Sequence, residues 1–282
     1  VARVMNRLPH RPRGVLLIFQ PAEEGGAGGE RLCAEGVLKG ESGGGLGAPV
    51  GQIFGLHGRP QAPLGTVGTR EGPLLAATDN FTVRLVGTQA HAAYPHLSAD
   101  PIVAAAHAIA ALQTITSRSV APQDSVVVTV GQINAGTASN IIPRDCTFIG
   151  TMRTVRKGTR ELGKKRFFEI VEATASALGL RAEIQWEEGY PVTHNDPAMT
   201  DKFFRVAVRA LGDSRVHIVP EPTMGGEDFS YYGQHVPACF FVLGVKPADR
   251  SDYPSLHQPE YDFNDDALPT GIEVMCRLAL ED

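Results

Sequence analysis

Continuous apolar runs separated by glycine-rich loops predict a mostly parallel α/β sheet at both ends of the chain. Gly14–Phe19 and Gln52–Leu56 are apolar over successive residues, as in strands buried on both faces. Glu30–Glu35, closed by Gly36, is predicted to form a helix between them. Ala238–Leu243 has the pattern of a further buried strand, and we expect all three strands in one sheet. The remaining predicted elements of this domain are a helix from Asp196-Pro197 to Leu211, a strand over 216–219 and a helix over Ala267–Leu280.

Apolar and polar residues alternate in the middle of the chain, and this pattern predicts half-buried strands. Phe81, Val83 and Leu85 alternate with polar neighbours. Asp100-Pro101 supplies a helix N-cap followed by proline at the first helical position. The order is β-α-β-β-α-β, the split βαβ or ferredoxin-like arrangement. Its elements are a strand around 81–85, a helix over 101–117, strands Ser125–Ile133 and Cys146–Thr154, a helix over Lys157–Leu178 and a strand over Arg181–Trp186.

The change of pattern predicts two domains. A chain of 282 residues corresponds to about two domains at roughly 150 residues each. Residues 76–188 form a separate domain inserted into an α/β domain, which comprises residues 1–75 and 189–282. The predicted fold class is therefore α/β with an inserted ferredoxin-like domain.

Composition excludes several classes of protein. With 43% hydrophobic and 20% charged residues and a net charge of −5, the chain is globular and lacks the basic balance of a nucleic-acid binder. Its four cysteines form no C-x-x-C pair, which predicts free thiols and a cytoplasmic location. The most apolar tract, Ile102–Leu112, is interrupted by His107 and is too short to cross a bilayer. We therefore expect neither a nucleic acid nor a membrane as partner.

Side chains with metal-ligand chemistry follow the predicted strands of the first domain. Glu23-Glu24 comes just after Gly14–Phe19, His57 follows the next strand, and His257 lies in a loop. Ligands of open α/β sheets bind at the carboxyl ends of the strands. Neighbouring carboxylates point in different directions, so one can bind a metal while the other addresses a water. A solvated acidic turn and ordinary surface histidines are the alternatives, and the residues alone leave both open.

The glycines around Glu24 do not form a nucleotide-binding motif. The Gly-Lys-Ser/Thr of a phosphate-binding loop is absent. A dinucleotide fingerprint fails at its third glycine, because Gly26 and Gly28 are followed by Arg31. The glycines are better suited to a backbone that approaches a metal or substrate closely.

A second set of candidates has the chemistry of substrate recognition. His91, Asn140 and Arg153 together are suited to hydrogen-bond a tetrahedral oxyanion and a carboxylate. Gly225-Gly226 forms a turn whose amides are suited to an anion. A strand-end histidine, a turn asparagine, a surface arginine and a plain turn are the corresponding alternatives.

Taken together, these motifs resemble the M20 family of metallopeptidases, in particular its amidohydrolase branch. That branch includes hippurate hydrolases, N-acyl-amino-acid hydrolases and indole-acetyl-amino-acid hydrolases. The matching segments, in family order, are Phe19–Gly26, Gly55–His57, His91–His96, Gly131–Thr137, Met224–Ser230 and Leu256-His257 with Asp262-Phe263.

The resemblance implies a two-metal hydrolase with a zinc-peptidase-like catalytic domain and a lid. It implies divalent metal ions, two per complete site, such as zinc, manganese, cobalt or nickel. By motif, Glu23 is the general base, and Glu24, His57 and His257 are metal ligands. The resemblance also implies that the lid, residues 76–188, dimerises.

The lid residues implied to engage substrate are His91, Asn140 and Arg153, and Gly225 and Gly226 are the further candidates for substrate binding. The family's Gly-Gly before the lid histidine is Gln89-Ala90 here, and its frequent methionine before proline is Tyr94. Both departures are expected to alter the substrate pocket.

The chain lacks the upstream Cys-Gly-His-Asp-Gly-His segment that supplies a bridging cysteine and another histidine in the family. We therefore expect half of the two-metal site to be missing from this sequence. Zinc binding by this chain should be weak, since each lost ligand removes part of the binding energy.

These observations predict a metal-dependent amidohydrolase that cleaves N-acyl amino acids, such as hippurate-like substrates. A metal-activated water attacks the amide, and Glu23 acts as the general base. A carboxypeptidase or dipeptidase of the same fold is one alternative. A truncated, non-catalytic homologue that only binds a ligand or partner is the other.

Overall fold

The computed structural model describes residues 1–281, which divide into two compact units. Unit 1 comprises residues 1–74, 193–223 and those from Glu227 onward. Unit 2 comprises Leu75–Val192 and Met224–Gly226. The predicted first domain comprised residues 1–75 and 189–282, whereas Leu75, residues 189–192 and Met224–Gly226 lie in unit 2. Within that unit, Ala76 N donates to Gly225 O at 2.9 Å. The catalytic and lid roles of the two units stay predictions.

Unit 1 is built on a four-stranded mixed sheet. Strand β1 (Ile53–Pro63) runs parallel to β12 (Ala238–Lys246), from the Ile53–Ala238 pair to the Arg59–Gly244 pair, so the prediction that these two segments lie in one sheet is confirmed. The sheet order is β1-β12-β2-β11, with β12 antiparallel to β2. The strands of this sheet are β1 (Ile53–Pro63), β2 (Val67–Thr69), β11 (Val216–Ile218) and β12 (Ala238–Lys246). A separate two-stranded ladder consists of β3 (Gly72–Leu75) and β10 (Thr193–Asn195).

The prediction of a strand over Gly14–Phe19 is wrong. None of its residues lies in a strand, and Phe19 is 87% exposed. A strand needs a neighbour for its backbone N–H and C=O groups, and no strand within residues 1–281 pairs with this segment. The second strand is longer than predicted, so His57 lies within β1 instead of following it.

The structure describes four α-helices in unit 1, and the last two of them pack against its sheet. They are α1 (Ala2–Arg7), α2 (Gly28–Ala34), α5 (Pro197–Leu211) and α6 (Leu268–Leu280). The predicted cap of α5 is confirmed, because the Asp196 carboxylate accepts a hydrogen bond from Met199 N at 3.0 Å. Helices α5 and α6 pack together, and Phe203, Phe241 and Leu278 are fully buried in this core.

Unit 2 has the predicted ferredoxin-like order of elements. Its sheet has the order β6-β8-β4-β9, and all its neighbours are antiparallel. The Asp100 carboxylate caps α3 by accepting from Ile102 N at 2.9 Å and from Val103 N at 3.3 Å. The elements are β4 (Ala77–Val86), β5 (Ala90–His91), α3 (Pro101–Thr114), β6 (Val126–Ala135), β7 (Ile141–Ile142), β8 (Asp145–Thr154), α4 (Lys157–Ala177) and β9 (Arg181–Glu188). The predicted fold class, α/β with a ferredoxin-like unit, is confirmed.

Two predictions from composition can be compared with the structure. The four cysteines are buried and form no disulfide within residues 1–281. None of the helices described there combines the length and apolar character that a membrane span requires.

Candidate active site

The two loops that carry proposed metal ligands have strained backbones. Ala22 and Ala27 flank the Glu23-Glu24 turn with φ values of +57° and +47°, and His257 has a φ of +64°. These are the only non-glycine residues with positive φ in the described chain. The left-handed conformation costs roughly 1–2 kcal/mol per such residue and persists only where the surroundings impose it. The shape of both loops is therefore held by their contacts.

Glu24 and His257 lie together at the surface of unit 1. His257 Nδ1 is 3.9 Å from Glu24 Oε1, and both side chains are exposed. The structure thus brings together a carboxylate and an imidazole from opposite ends of the sequence, and their role as metal ligands stays a prediction.

His57 lies on strand β1, where the backbone holds one of its ring nitrogens. Its Nδ1 lies 2.7 Å from Gly58 O. Because a carbonyl oxygen only accepts, Nδ1 carries the hydrogen, and in the neutral ring Nε2 has the lone pair. Metal-binding histidines commonly have this arrangement, in which a backbone carbonyl fixes the tautomer.

Glu23 is half-buried, and its surroundings raise its carboxyl pKa. Burial is the main cause, and the charges of Asp228 and Glu24 add to it. A hydrogen bond from the Asp228 backbone and the nearby His57 act in the opposite direction. A carboxyl group with a raised pKa is suited to accept and return a proton near neutral pH.

Glu227 and Asp228 were not among the predicted site residues. One carboxylate oxygen from each of Glu23, Glu227 and Asp228 lies within 4.8 Å of the others. Glu227 is 8% exposed and Asp228 is fully buried. The sequence patterns identified this segment as a glycine turn and as part of a family motif, although a second acidic pair directly after Gly225-Gly226 was the available signal for two further site residues.

In metal-free protein, Glu227→Gln is expected to raise the free energy of unfolding above pH 7 by roughly 1–3 kcal/mol. Burial, and next the charge of Glu23, raises the pKa of Glu227 from 4.5 to about 7. The free energy of unfolding of the wild type therefore falls as the pH rises from 4.5, the ordinary pKa of a glutamate, to about 7, its pKa in the folded protein. The glutamine retains the oxygen that accepts from Phe229 N. Chemical denaturation with a chelator at about pH 4.5 and pH 8 measures the effect, and the same pH dependence in both proteins would contradict it.

In unit 2, the structure brings His91 and Asn140 together. His91 pairs with Ile141 in the β5–β7 ladder, and Ala92 N donates to Asn140 O at 2.9 Å. His91 Nδ1 accepts from Ala93 N at 3.1 Å, so in the neutral ring Nε2 carries the hydrogen. Both side chains are exposed, and His91 is thus a suitable donor to a developing oxyanion.

Arg153 lies in β8 beside the Gly225-Gly226 turn. Its Nε donates to Thr151 Oγ1 at 3.1 Å, which leaves the two terminal guanidinium nitrogens for another partner. A Cβ atom on Gly226 would lie 3.5 Å from Arg153 Nη1. None of the ion pairs found in residues 1–281 includes Arg153. The half-buried guanidinium is therefore available to an anionic ligand.

Gly226→Ala is expected to destabilise unit 2 by about 1–3 kcal/mol. The added Cβ would lie 2.4 Å from Thr78 Cγ2, so the turn must shift away from strand β4. Thermal unfolding measures the loss. Gly158→Ala is the control, because a Cβ there meets nothing within 4 Å. Equal stability of the two variants would show that the turn adapts without cost.

The sequence of the chain is similar to that of known hydrolases. The chain matches Peptidase family M20/M25/M40 over residues 1–281. The N-acetyl-L-cysteine deacetylase of Bacillus subtilis (strain 168) is 38% identical over 255 residues, which cover 90% of this chain and 57% of that protein. The Arabidopsis thaliana IAA-amino acid hydrolase ILR1-like 4 is 37% identical over 269 residues, covering 94% and 59%. The chain thus spans less than two thirds of the length of these relatives.

A solved structure from Bacillus subtilis has a similar fold. This protein, YXEP, is described as a dinuclear metal-binding peptidase from the M20 family. It superposes with a TM-score of 0.72 at 31% identity, covering 93% of this chain and 63% of that chain. The family match over nearly all of the chain, together with this fold, shows that the protein belongs to Peptidase family M20/M25/M40.

Proposed function

We propose that the whole protein is a metal-dependent amidohydrolase that cleaves the amide bond of N-acyl amino acids. The observation that carries the proposal is the half-buried Glu23 next to Glu24, whose carboxylate lies against His257. Glu23 is the proposed proton acceptor, and Glu24 and His257 are a proposed pair of metal ligands next to it. The names of the deacetylase and the IAA-amino acid hydrolase support N-acyl amino acids as the substrate class.

The donor set fits a divalent transition metal. Glu24 offers a carboxylate, and His57 and His257 offer imidazole nitrogens, the ligand types that zinc, manganese, cobalt and nickel accept. The dinuclear Bacillus structure supports two ions per complete site. When bound, such ions polarise a carbonyl group and acidify water.

Glu23 has the proton-transfer role in the proposed reaction. Its carboxylate takes a proton from the attacking water, and the same carboxyl group then gives the proton to the leaving amine nitrogen. The burial that raises its pKa strengthens Glu23 as the base in the first transfer and keeps the proton on its carboxyl group until the amine nitrogen takes it. Glu23 therefore serves first as general base and then as general acid.

The residues of unit 2 recognise the substrate in this proposal. Arg153 holds the free α-carboxylate in a bidentate pair. His91 Nε2 and the Asn140 amide donate to the carbonyl oxygen as it gains negative charge. Gly226 lies beside Arg153 within unit 2, and Gly225 and Gly226 are the proposed backbone donors to the same carboxylate.

We also propose a homodimer through unit 2. Strand β6 is an edge of its sheet, and Ile133 on this strand is 51% exposed. A second copy is the expected partner because unpaired edge strands readily add another strand. Ile133→Lys should reduce the molar mass measured by light scattering from dimer to monomer, while Ile218→Lys in unit 1 should not. A monomeric wild type would contradict the dimer.

A substrate screen tests the proposed reaction. Hippurate, N-acetyl amino acids and dipeptides are offered to this chain and to an N-terminally extended form, with metal analysis of both. Faster hydrolysis of the N-acyl amino acids supports the proposal. Faster dipeptide hydrolysis identifies a peptidase, and tight ligand binding without turnover in both forms identifies a non-catalytic homologue.

A further inference from the structure

Asp228 joins two points of the loop that carries Glu23 and Glu24. Its Oδ1 accepts from Gln20 Nε2 at 2.6 Å, and its Oδ2 accepts from Gly29 N at 2.9 Å. These donors lie on either side of the acidic pair, one just before the loop and one at the start of α2. A fully buried carboxylate needs such donors. Asp228 therefore links the two ends of the loop through hydrogen bonds, and its backbone N–H also donates to Glu23.

Tyr232 fixes the orientation of the Gln20 amide. Its hydroxyl donates to Gln20 Oε1 at 2.7 Å, which directs Nε2 of the same amide towards Asp228. Tyr232 is 3% exposed, and burial raises its pKa, so it remains a protonated donor. The hydroxyl thus acts on Asp228 through the glutamine.

The backbone around Asp228 is packed too closely for Gly28 and Gly29 to be replaced by residues with side chains. A Cβ on Gly29 would lie 2.6 Å from Asp228 O and 3.1 Å from Gln20 Oε1. A Cβ on Gly28 would lie 1.8 Å from Pro21 O. The strained Ala22 and Ala27 lie between these fixed points. Strain of this kind persists only where neighbouring contacts impose it.

We infer that Tyr232, Gln20 and Asp228 are positioning residues that hold the Glu23-Glu24 loop in its strained shape. The inference rests on the proposed function only for the roles of Glu23 and Glu24. Asp228 acts here through hydrogen bonds to the loop, whereas His57 and His257 remain the proposed partners of Glu24 in metal binding.

Hydrogen exchange measured by mass spectrometry tests the network. Tyr232→Phe removes only the hydroxyl, and Gln20→Met removes both amide contacts with little change in size. Exchange in the peptide over residues 20–29 should accelerate about 5- to 50-fold in each variant, while exchange in β12 stays unchanged. Tyr253→Phe, which removes the hydroxyl donor to Asp262 O elsewhere in unit 1, is the matched control and should leave residues 20–29 unchanged. Unchanged exchange in both variants, or equal acceleration in β12, would overturn the inference.

Cobalt titration followed by visible absorption separates this inference from the proposed function, with the wild type and each variant prepared in the N-terminally extended form. His257→Ala should abolish saturable cobalt binding, and Tyr232→Phe should weaken it by a factor similar to its acceleration of exchange. If the wild type binds no cobalt, or His257→Ala binds it as well as the wild type, the proposed metal site fails, and the exchange result alone decides the network. A different result would overturn the positioning role: exchange at residues 20–29 accelerates in Tyr232→Phe, but this variant binds cobalt as tightly as the wild type, and His257→Ala does not bind cobalt.

Discussion

Glu23→Gln is expected to lower kcat on an N-acyl amino acid by about 10²- to 10⁴-fold in the catalytically complete protein. Glutamine preserves the size of the side chain and accepts hydrogen bonds, but it cannot take a proton from the attacking water. Steady-state kinetics measure the loss. Metal content should hardly change, because Glu24 is the proposed ligand and lies against His257.

Glu24→Gln is the matched control for this experiment. It changes the neighbouring carboxylate in the same way but is expected to reduce metal content, since it removes a charged ligand. If Glu23→Gln stays active while Glu24→Gln keeps its metal and loses activity, the two roles are reversed.

Arg153→Leu is expected to reduce kcat/KM on an N-acyl amino acid by about 10- to 150-fold. Losing a charge-assisted pair in a water-poor site costs roughly 1.5–3 kcal/mol. The role is proposed because Arg153 is half-buried and, among residues 1–281, the hydrogen bond found for its guanidinium is the one from Nε to Thr151.

The C-terminal amide of the same substrate distinguishes recognition from a structural role. The wild type should act less well on the amide, and Arg153→Leu should show little further loss on it. Arg153→Lys is the control that retains the charge without the planar fork, and it should restore only part of the activity on the acid. Equal losses on acid and amide would mean that Arg153 shapes unit 2 without reading the carboxylate.

Much of the fold could be predicted because its signals are local. The caps at Asp100 and Asp196 form hydrogen bonds with residues two or three positions ahead, so their effect depends on near neighbours. The alternation around Phe81 likewise predicted the strand β4 at the centre of unit 2. Gly14–Phe19 has an equally strong apolar pattern, but a strand also requires a ladder partner, which the residues of the segment cannot supply.

The candidate site, like the fold, could be predicted only in part from the sequence. Family motifs in the sequence predicted Glu23, Glu24, His57 and His257, and the structure shows the contact between Glu24 and His257. The roles of these residues stay predictions. Motifs that are far apart carry no distances, so the sequence did not indicate that Glu23 lies against a buried second acidic pair.

The sequence by itself determined the helix caps, the order of elements in unit 2 and the residue types available for chemistry, because each depends on side chains within one or two turns. Only the tertiary structure decided which segments became strands, that His57 lies within β1, and that Asp228 is buried against Gln20 and Gly29. Burial and hydrogen-bond partners come from residues up to about two hundred positions away in this chain. Pairing over such separations depends on the packing of the whole unit, which no local pattern contains.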